Sequence, residues 1–204
     1  LPLTAYPDER ETLCVGVFGE KESFYTLKGL AEVVAKTLGV TFTYEVAMKP
    51  YLHPYQTAEI FCEGIRVGYL GKVSYEIQDE LDMRVQAFVM ELDVRELSQW
   101  YGKPQVFRPL PKFPEEKRDF AFVVDKDITC AQIENGIKES CKYVTDVELF
   151  DVYEGIQLGP DKKSMAFSVV FTPADEEFTG EMMDGFVKKI LKNLERTLQI
   201  TLRA

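Results

Sequence analysis

The sequence predicts an α+β protein made of two parts, and three observations lead to this prediction. Short apolar runs with the alternation of strands occur along the whole chain, and segments with apolar residues at helical spacing lie between them. Residues 104–114 include four prolines. Because proline fixes φ and lacks an amide hydrogen, such a segment is neither a helix nor a central strand. We therefore predict a proline-rich linker at 104–111 between domains at 1–103 and 112–204.

The first half should combine helices with a mixed or antiparallel sheet. Its strands are predicted at 12–18, 41–46, 57–62, 65–70 and 85–92. The third and fourth strands form a hairpin around the turn Glu63-Gly64. A helix is predicted where apolar residues recur at helical spacing before a glycine: Leu27, Leu30, Val34, Leu38 and Gly39. Shorter helices are predicted at 74–81, capped by Ser74, and at 94–101.

The second half has the order strand, helix, strand, strand, helix, strand. Its strands are predicted at 118–125, 144–153, 164–172 and 199–203. Thr129 and Gln132 form a capping-box pattern before the first helix, and Thr179 is a capping residue for the second. This order is typical of a ferredoxin-like βαββαβ sandwich, in which both helices cover one face of an antiparallel sheet. The other face stays open, which suits a flat partner or single-stranded RNA.

Composition and charge exclude several classes of protein. The 204 residues include 24 basic and 34 acidic residues, a net charge of −10, so a broad basic surface for DNA or other nucleic acid is disfavoured, although a small local RNA site remains possible. No apolar run approaches the roughly 20 residues that span a bilayer, and no secretory leader is visible. The chain begins at Leu1, which predicts a processed chain or an excised fragment. The four cysteines lack CxxC spacing, so we expect free thiols in a reducing cytosol.

The sequence contains no recognisable catalytic or metal-binding motif. His53 is the only histidine, so an imidazole cluster is excluded, and neither GxGxxG nor GxxxxGK[ST] occurs. A turn or packing role for His53 is the main interpretation. A hydrolase that uses His53 is a weaker one, because sequence alone shows no nucleophile beside it. We predict no catalytic residue and no metal site.

One strand of the second half carries a more specific pattern. Strict alternation in 149–153 puts Leu149, Asp151 and Tyr153 on the same face. A tyrosine ring can stack on a base, and an aspartate can accept hydrogen bonds from the Watson–Crick edge of guanine. Lys163 and Ser164 on the next strand could approach the same surface. The pattern alone also fits ordinary surface residues.

These residues resemble a known family. The stretches 113–119 and 149–153, and Lys163-Ser164 with Phe167, resemble the ferredoxin-fold anticodon-binding domain that closes the beta subunit of bacterial phenylalanyl-tRNA synthetase. The stretches 24–29, 53–58 and 68–71 are similar to the region just before that domain in the same subunit. The resemblance therefore spans nearly the whole chain.

The resemblance implies roles for both halves. Residues 1–103 would be a class II synthetase-like remnant, truncated at its N-terminus, that is inactive and supports an (αβ)₂ assembly. This fragment would hold no cofactor, because ATP, Mg²⁺ and phenylalanine belong to the alpha subunit in that family. Residues 112–204 would bind the anticodon loop of tRNA-Phe in the cytoplasm.

The resemblance also implies which side chains read the RNA. Asp151 and Tyr153 would be the main readers of the first anticodon base, with Ser164 and Lys163 as weaker candidates. Arg118 is a further candidate, although it could instead pair with an acid that holds the first strand.

Two considerations qualify this reading of the second half. Residues 112–204 contain 13 basic and 18 acidic residues, so the domain alone should bind RNA weakly and act through effective concentration within a larger enzyme. A regulatory small-molecule sensor of the ACT type shares the same βαββαβ order and stays open as an alternative. Asp151 and Tyr153 on an open sheet face would favour RNA, whereas a pocket between paired domains would favour the sensor.

Overall fold

The structure is a computed structural model that describes residues 9–102, 110–174 and 176–202, without the side chain of Thr201. The chain divides into two compact units, 1–107 and 108–204. All but the last two positions of the linker predicted at 104–111 lie outside the described residues. Of the helices described here, none is long and apolar enough to cross a membrane.

The first unit is built on a five-stranded antiparallel sheet in the order β1-β5-β4-β3-β2. The strands are β1 (Thr12–Phe18), β2 (Phe42–Val46), β3 (Leu52–Cys62), β4 (Ile65–Val73) and β5 (Ala87–Asp93). The helices are α1 (Phe24–Leu38), α2 (Tyr75–Glu80) and α3 (Val94–Leu97), the last continued by a 3₁₀ turn at Ser98–Trp100. The predicted mixture of helices with an antiparallel sheet is confirmed.

The helix α1, predicted from apolar residues at helical spacing before Gly39, is present and has strong signals at both ends. The side chains and amides of Ser23 and Thr26 exchange hydrogen bonds in a capping box, and Gly39 ends the helix with φ 71°. Of the apolar residues that predicted the helix, Leu27 is fully buried, whereas Leu30 is 40% exposed. The fully buried positions are Leu27, Ala31 and Ala35. Two alanines on this face let the helix lie close to the sheet.

The strand β3 is longer than predicted because it continues through a proline. It begins at Leu52, five residues before the predicted start, and Pro54 lies within it. The strand β2 pairs with β3 only from Ala58 onward, and the β3–β4 register shifts between Leu52 and Thr57. A proline is tolerated at such an edge or bulge, because no ladder hydrogen bond needs its missing amide.

The second unit has the predicted ferredoxin-like order. Its elements are β6 (Glu116–Asp125), α4 (Cys130–Ser140), β7 (Val144–Tyr153), β8 (Lys162–Phe171), α5 (Gly180–Leu198) and β9 (Thr201–Leu202). The sheet is antiparallel with the order β7-β8-β6-β9. The capping box predicted for α4 is present, since the Thr129 amide donates to Gln132 Oε1 at 2.8 Å and the Gln132 amide donates to Thr129 Oγ1 at 3.3 Å.

Both helices of the second unit pack on one face of its sheet. The buried cluster joins side chains of β6 and β8 to side chains of the helices: Phe120, Phe122, Val124, Met165, Phe167, Val169 and Phe171 with Ile133, Ile137, Met183, Ile190 and Leu194. The apolar residues of β8 therefore alternate along the strand and lie on the face toward the helices. The opposite face of the same sheet carries three of the five candidate RNA-binding residues.

Candidate nucleic-acid interface

The face of the second sheet away from α4 and α5 is called the open face below. The pairing register puts alternate residues of three strands on it: Lys117, Asp119, Ala121, Val123 and Asp125 of β6; Asp146, Glu148, Asp151 and Tyr153 of β7; Lys162, Ser164, Ala166, Ser168 and Val170 of β8. Three of the five predicted RNA-binding residues belong to this set: Asp151, Tyr153 and Ser164.

A β-bulge determines which face Asp151 and Tyr153 occupy. Leu149 lies opposite Phe167. The next paired residue of β7 is Asp151, and it lies opposite Ala166, the neighbour of Phe167 in β8. Phe150 is therefore an extra residue on β7, and such an insertion shifts the following side chains to the other face. The prediction that grouped Leu149 with Asp151 and Tyr153 is wrong, because Leu149 is directed toward the helices and the other two lie on the open face.

Tyr153 and Ser164 lie directly opposite each other on the antiparallel pair β7–β8. The Tyr153 side chain is 40% exposed, whereas Ser164 is only 4% exposed. Ser164 is covered because β8 is a central strand, so that Tyr153 flanks it on one side and Val123 flanks it on the other. A partner that lies on Tyr153 would thus pass over the Ser164 position.

The ring of Tyr153 lies against the backbone of Gly155, two residues further along the chain. A Cβ atom placed on Gly155 would come within 2.8 Å of Tyr153 Cε1 and still closer to Cζ and Oη. Gly155 was not among the site residues predicted from the sequence. The sequence signal that could have identified Gly155 is its position two residues after Tyr153, because residues i and i+2 of an extended chain share a face.

The other two predicted site residues are not part of this group. Lys163 lies opposite the buried Val124, on the face that the helices cover, and its Nζ donates a hydrogen bond of 3.0 Å to the Lys126 carbonyl. Arg118 lies opposite Val169 and so also belongs to the face that the helices cover. Its Nη1 donates a hydrogen bond of 2.9 Å to Glu116 Oε2. The structure therefore separates both cations from the other three candidates.

The open face carries more negative than positive charge. Its acidic residues are Asp119, Asp125, Asp146, Glu148 and Asp151, and its basic residues are Lys117 and Lys162. Lys162 forms an ion pair with Asp125 at 2.7 Å, and Asp119 accepts a hydrogen bond of 2.7 Å from Ser168. Such a surface does not attract a phosphate backbone at long range. Recognition here would depend on stacking and on hydrogen bonds to base edges.

Charged residues on and beside the sheet of the first unit form ion pairs with one another. Arg10 pairs with Asp93 at 3.1 Å, and Arg66 pairs with Glu59 at 2.8 Å. In the part of the chain that the structure describes, no group of three or more His, Cys, Asp or Glu residues could hold a metal ion.

His53 makes contacts that suit a packing role. Its Nδ1 accepts a hydrogen bond of 3.2 Å from the Tyr55 amide. The imidazole lies edge-on to the ring of Tyr75, with the ring centroids 5.3 Å apart.

Two family models match the chain, each over one of its halves. The model of the phenylalanyl tRNA synthetase beta chain CLM domain matches residues 2–94. The model of the ferredoxin-fold anticodon binding domain matches residues 111–203, the half that contains the open face.

Curated relatives are similar over nearly the whole chain. A phenylalanine–tRNA ligase beta subunit of Halalkalibacterium halodurans is 35% identical over 215 aligned positions, which cover 98% of this chain and 26% of the relative. The protein of the same name from Bacillus subtilis is 37% identical over 190 positions, 91% of this chain and 24% of the relative. That from Carboxydothermus hydrogenoformans is 33% identical over 186 positions, 90% and 23%. The chain thus spans about a quarter of the length of these relatives.

Proposed function

Because the chain belongs to the family of phenylalanine–tRNA ligase beta subunits, we propose that its second half binds the anticodon loop of tRNA-Phe. The first half would be a non-catalytic module of the same subunit. The whole ligase would join phenylalanine to its tRNA with ATP and Mg²⁺, both held by an alpha subunit in an (αβ)₂ assembly in the cytoplasm. This chain would contribute binding and support rather than chemistry.

One observation carries the proposal: Tyr153 and Asp151 follow the bulge at Phe150 and so lie on the open face of the sheet. An exposed aromatic ring on an open sheet is the arrangement that single-stranded RNA uses for stacking. The carboxylate of Asp151, two residues away on the same face, would accept hydrogen bonds from the first anticodon base. Ser164, opposite Tyr153, would add a hydroxyl at the edge of that base.

The positions of the cations lead us to rank the remaining candidates lower. Lys163 Nζ donates to a backbone carbonyl, and Arg118 is paired with Glu116. We propose that Lys163 and Arg118 stabilise the ends of their strands rather than read the anticodon. The exposed ion pair of Arg118 with Glu116 should contribute only about 0–1 kcal/mol to stability.

The acidic open face fits a reader that acts inside a larger enzyme. Its binding free energy would come mainly from a stacked base, worth about 1–3 kcal/mol, and little would come from phosphate contacts. Such a contact is weak in isolation. When the rest of the tRNA is held elsewhere, the effective concentration of the loop makes the same contact selective.

The ACT-like alternative is not supported. The family model that matches the second half is that of an anticodon-binding domain, and Asp151 and Tyr153 lie on the open face rather than at a helix–strand turn.

The proposal is tested by titrating the 204-residue chain with an anticodon stem-loop of tRNA-Phe at low salt, followed by NMR. A second stem-loop differs only in its first anticodon base. We expect shifts that cluster at Asp151, Tyr153 and Ser164 and are larger for the first loop. Tyr153→Ala should weaken binding about 5- to 150-fold, the equivalent of one stacked base. Tyr101→Ala, which removes an exposed tyrosine of the other unit, is the matched control. Equal shifts with both loops, or unchanged binding by Tyr153→Ala, would contradict the proposal.

A further inference from the structure

We propose that Gly155 is a positioning residue for the anticodon-binding surface, because its lack of a side chain makes the space in which the Tyr153 ring lies. The inference rests on the proposed role of Tyr153 in stacking. It adds a residue that does not need to touch the RNA itself and acts through the orientation of the ring.

The backbone brings the glycine under the ring. Gly155 follows the end of β7 with φ −155° and ψ 158°, so the chain is still extended there. Residues two apart in an extended chain share a face, and Gly155 therefore lies on the same side as Tyr153. In that position, a Cβ on Gly155 would approach the hydroxyl oxygen and two ring carbons of Tyr153, with Cε1 at 2.8 Å the farthest of the three atoms.

The close approach affects the ring and not the backbone. Non-bonded carbon atoms are most stable at about 3.5–4.0 Å, so a methyl group at residue 155 would displace the ring. The φ of Gly155 is one that alanine adopts readily. The atoms that would clash lie at the far end of a side chain that rotates about χ1 and χ2. An alanine at this position should therefore move the ring while leaving the fold intact.

Gly155 differs in this respect from the next glycine of the same loop. Gly159 has φ 90° and no atom within 4 Å of its ideal Cβ position. Its glycine is required by the backbone conformation. At Gly155, by contrast, a glycine is needed because the Tyr153 ring occupies the space of a side chain. A substitution of Gly155 can therefore alter the position of the ring without straining the backbone of the loop.

The orientation of the ring matters because a base stacks on one particular plane. A ring held in place before binding loses little conformational freedom when the base arrives, and this preorganisation increases affinity. A ring displaced by a methyl group must return against that methyl group before it can stack. The expected effect is a loss of affinity for the loop and a smaller difference between the two loops that differ in their first base.

The test is Gly155→Ala in the 204-residue chain, with binding of both anticodon stem-loops measured by fluorescence anisotropy. We expect an affinity for the tRNA-Phe loop at least about 5-fold lower than that of the unchanged chain, with an unchanged melting temperature. Gly180→Ala is the matched control, because it adds the same methyl group where no atom lies within 4 Å of the Cβ position. This control should bind both loops as the unchanged chain does.

A double-mutant cycle with Tyr153→Ala separates positioning from other roles. If Gly155 acts through the ring, Gly155→Ala has no further effect once the ring is absent. An equal loss in both backgrounds would overturn the inference, as would unchanged binding by Gly155→Ala where Tyr153→Ala binds weakly. Unchanged binding by Tyr153→Ala itself would refute the proposed function and the inference with it. If Gly155→Ala fails to fold, recovery of folding in the double variant supports the contact, and no recovery overturns it.

Discussion

Tyr153 lies directly opposite Ser164 in the β7–β8 ladder, and the extra residue Phe150 on β7 is the reason. If every residue from Leu149 to Tyr153 paired one-to-one with β8, strict alternation would place Tyr153 on the same face as Leu149. The Tyr153 ring would then be directed to the helix-covered face. The bulge thus converts the end of an edge strand into part of the open face. It also brings a hydroxyl and an aromatic ring side by side on neighbouring strands.

The first prediction concerns the hydroxyl of Ser164. Ser164→Ala should lower the affinity for the tRNA-Phe anticodon loop by no more than about 10-fold, because one neutral hydrogen bond contributes about 0.5–1.5 kcal/mol. The loss should be smaller than that of Tyr153→Ala. Binding is measured by titration of the 204-residue chain with the stem-loop.

Ser168→Ala is the control for this prediction. Ser168 lies on the same strand and face, and its hydroxyl donates to Asp119 at 2.7 Å, so its removal has a comparable cost in stability. It lies four residues from Ser164, at a distance of about 13 Å along the strand. If Ser168→Ala weakened binding as much as Ser164→Ala does, the position opposite Tyr153 would have no special role.

The second prediction concerns the negative charge of the open face. Glu148 lies on this face opposite Ser168, and Asp151 lies opposite Ala166, so the bulge leaves the two acids only about 7 Å apart along the sheet, the length of two strand residues. Glu148→Gln should raise the affinity for the stem-loop about 3-fold at low ionic strength, because a unit charge about 7 Å away in water is worth about 0.6 kcal/mol. Salt at 0.15 M should reduce the gain, since the Debye length is then about 8 Å.

The control for the charge effect is Glu139→Gln. Glu139 is an exposed residue of α4, the helix on the opposite side of the sheet, and the substitution changes the net charge by the same amount. An equal gain in both variants would mean that only the total charge matters. No gain in either would show that the RNA does not lie over the open face.

Local signals in the sequence predicted the elements of the fold well. The capping box of Thr129 and Gln132 depends on residues three apart, and the C-terminal end of α1 was predicted from Gly39 in the same local way. The strand β8, predicted at 164–172, is present at Lys162–Phe171, and its alternation of apolar and polar residues is unbroken. Where structure depends on neighbours within a few residues, the sequence was sufficient.

The differences arose where a distant partner decides the outcome. The bulge at Phe150 depends on how β7 aligns with β8. The residues 149–153 alone do not indicate that one of them is left without a partner in the ladder. The early start of β3 depends on the absence of a β2 partner beside Pro54. The cover over Ser164 comes from residues on two other strands. Asp151 and Tyr153 were predicted from the sequence to share a face, but which face that is, and the proximity of Gly155 to the Tyr153 ring, required the three-dimensional structure.

The third prediction tests the buried face of the second sheet. Phe167 is fully buried, and its ring lies 6.2 Å from the ring of Phe122 between centroids. Phe167→Ala should lower the free energy of unfolding of the second unit by about 3–5 kcal/mol, because it leaves a cavity in a packed core. Phe150→Ala, which removes a ring that is 56% exposed, should cost much less.

The two units can be distinguished in this experiment. The only tryptophan, Trp100, is buried in the core of the first unit, so its fluorescence follows that unit, whereas circular dichroism follows both. We expect Phe167→Ala to shift the dichroism transition. An unchanged dichroism transition would mean that the wrong face of β8 has been assigned to the core.

The last prediction concerns the acid side of the stability profile of the first unit. Asp93 is the N-cap of α3, and its Oδ1 accepts a hydrogen bond of 3.1 Å from the Glu96 amide. This hydrogen bond, with a smaller contribution from Arg10, lowers the pKa of Asp93 below its ordinary value of 3.8. A carboxyl whose pKa is lower in the folded state binds protons more readily in the unfolded state. The stability that it contributes is therefore complete well above pH 3.8 and is lost as the pH falls through the lowered pKa.

Asp93→Asn should accordingly destabilise the first unit near pH 7 and have less effect in acid. Asparagine also caps helices well, so the difference measured reflects the charge of Asp93 rather than the loss of a cap. Urea unfolding followed by Trp100 fluorescence at several pH values between 2.5 and 7 measures the difference between variant and unchanged chain. Glu20→Gln, in the exposed turn after β1, serves as the control. A difference for Asp93→Asn that stays constant down to pH 2.5 would contradict the argument, because the charge would then have no part in the stability of the unit.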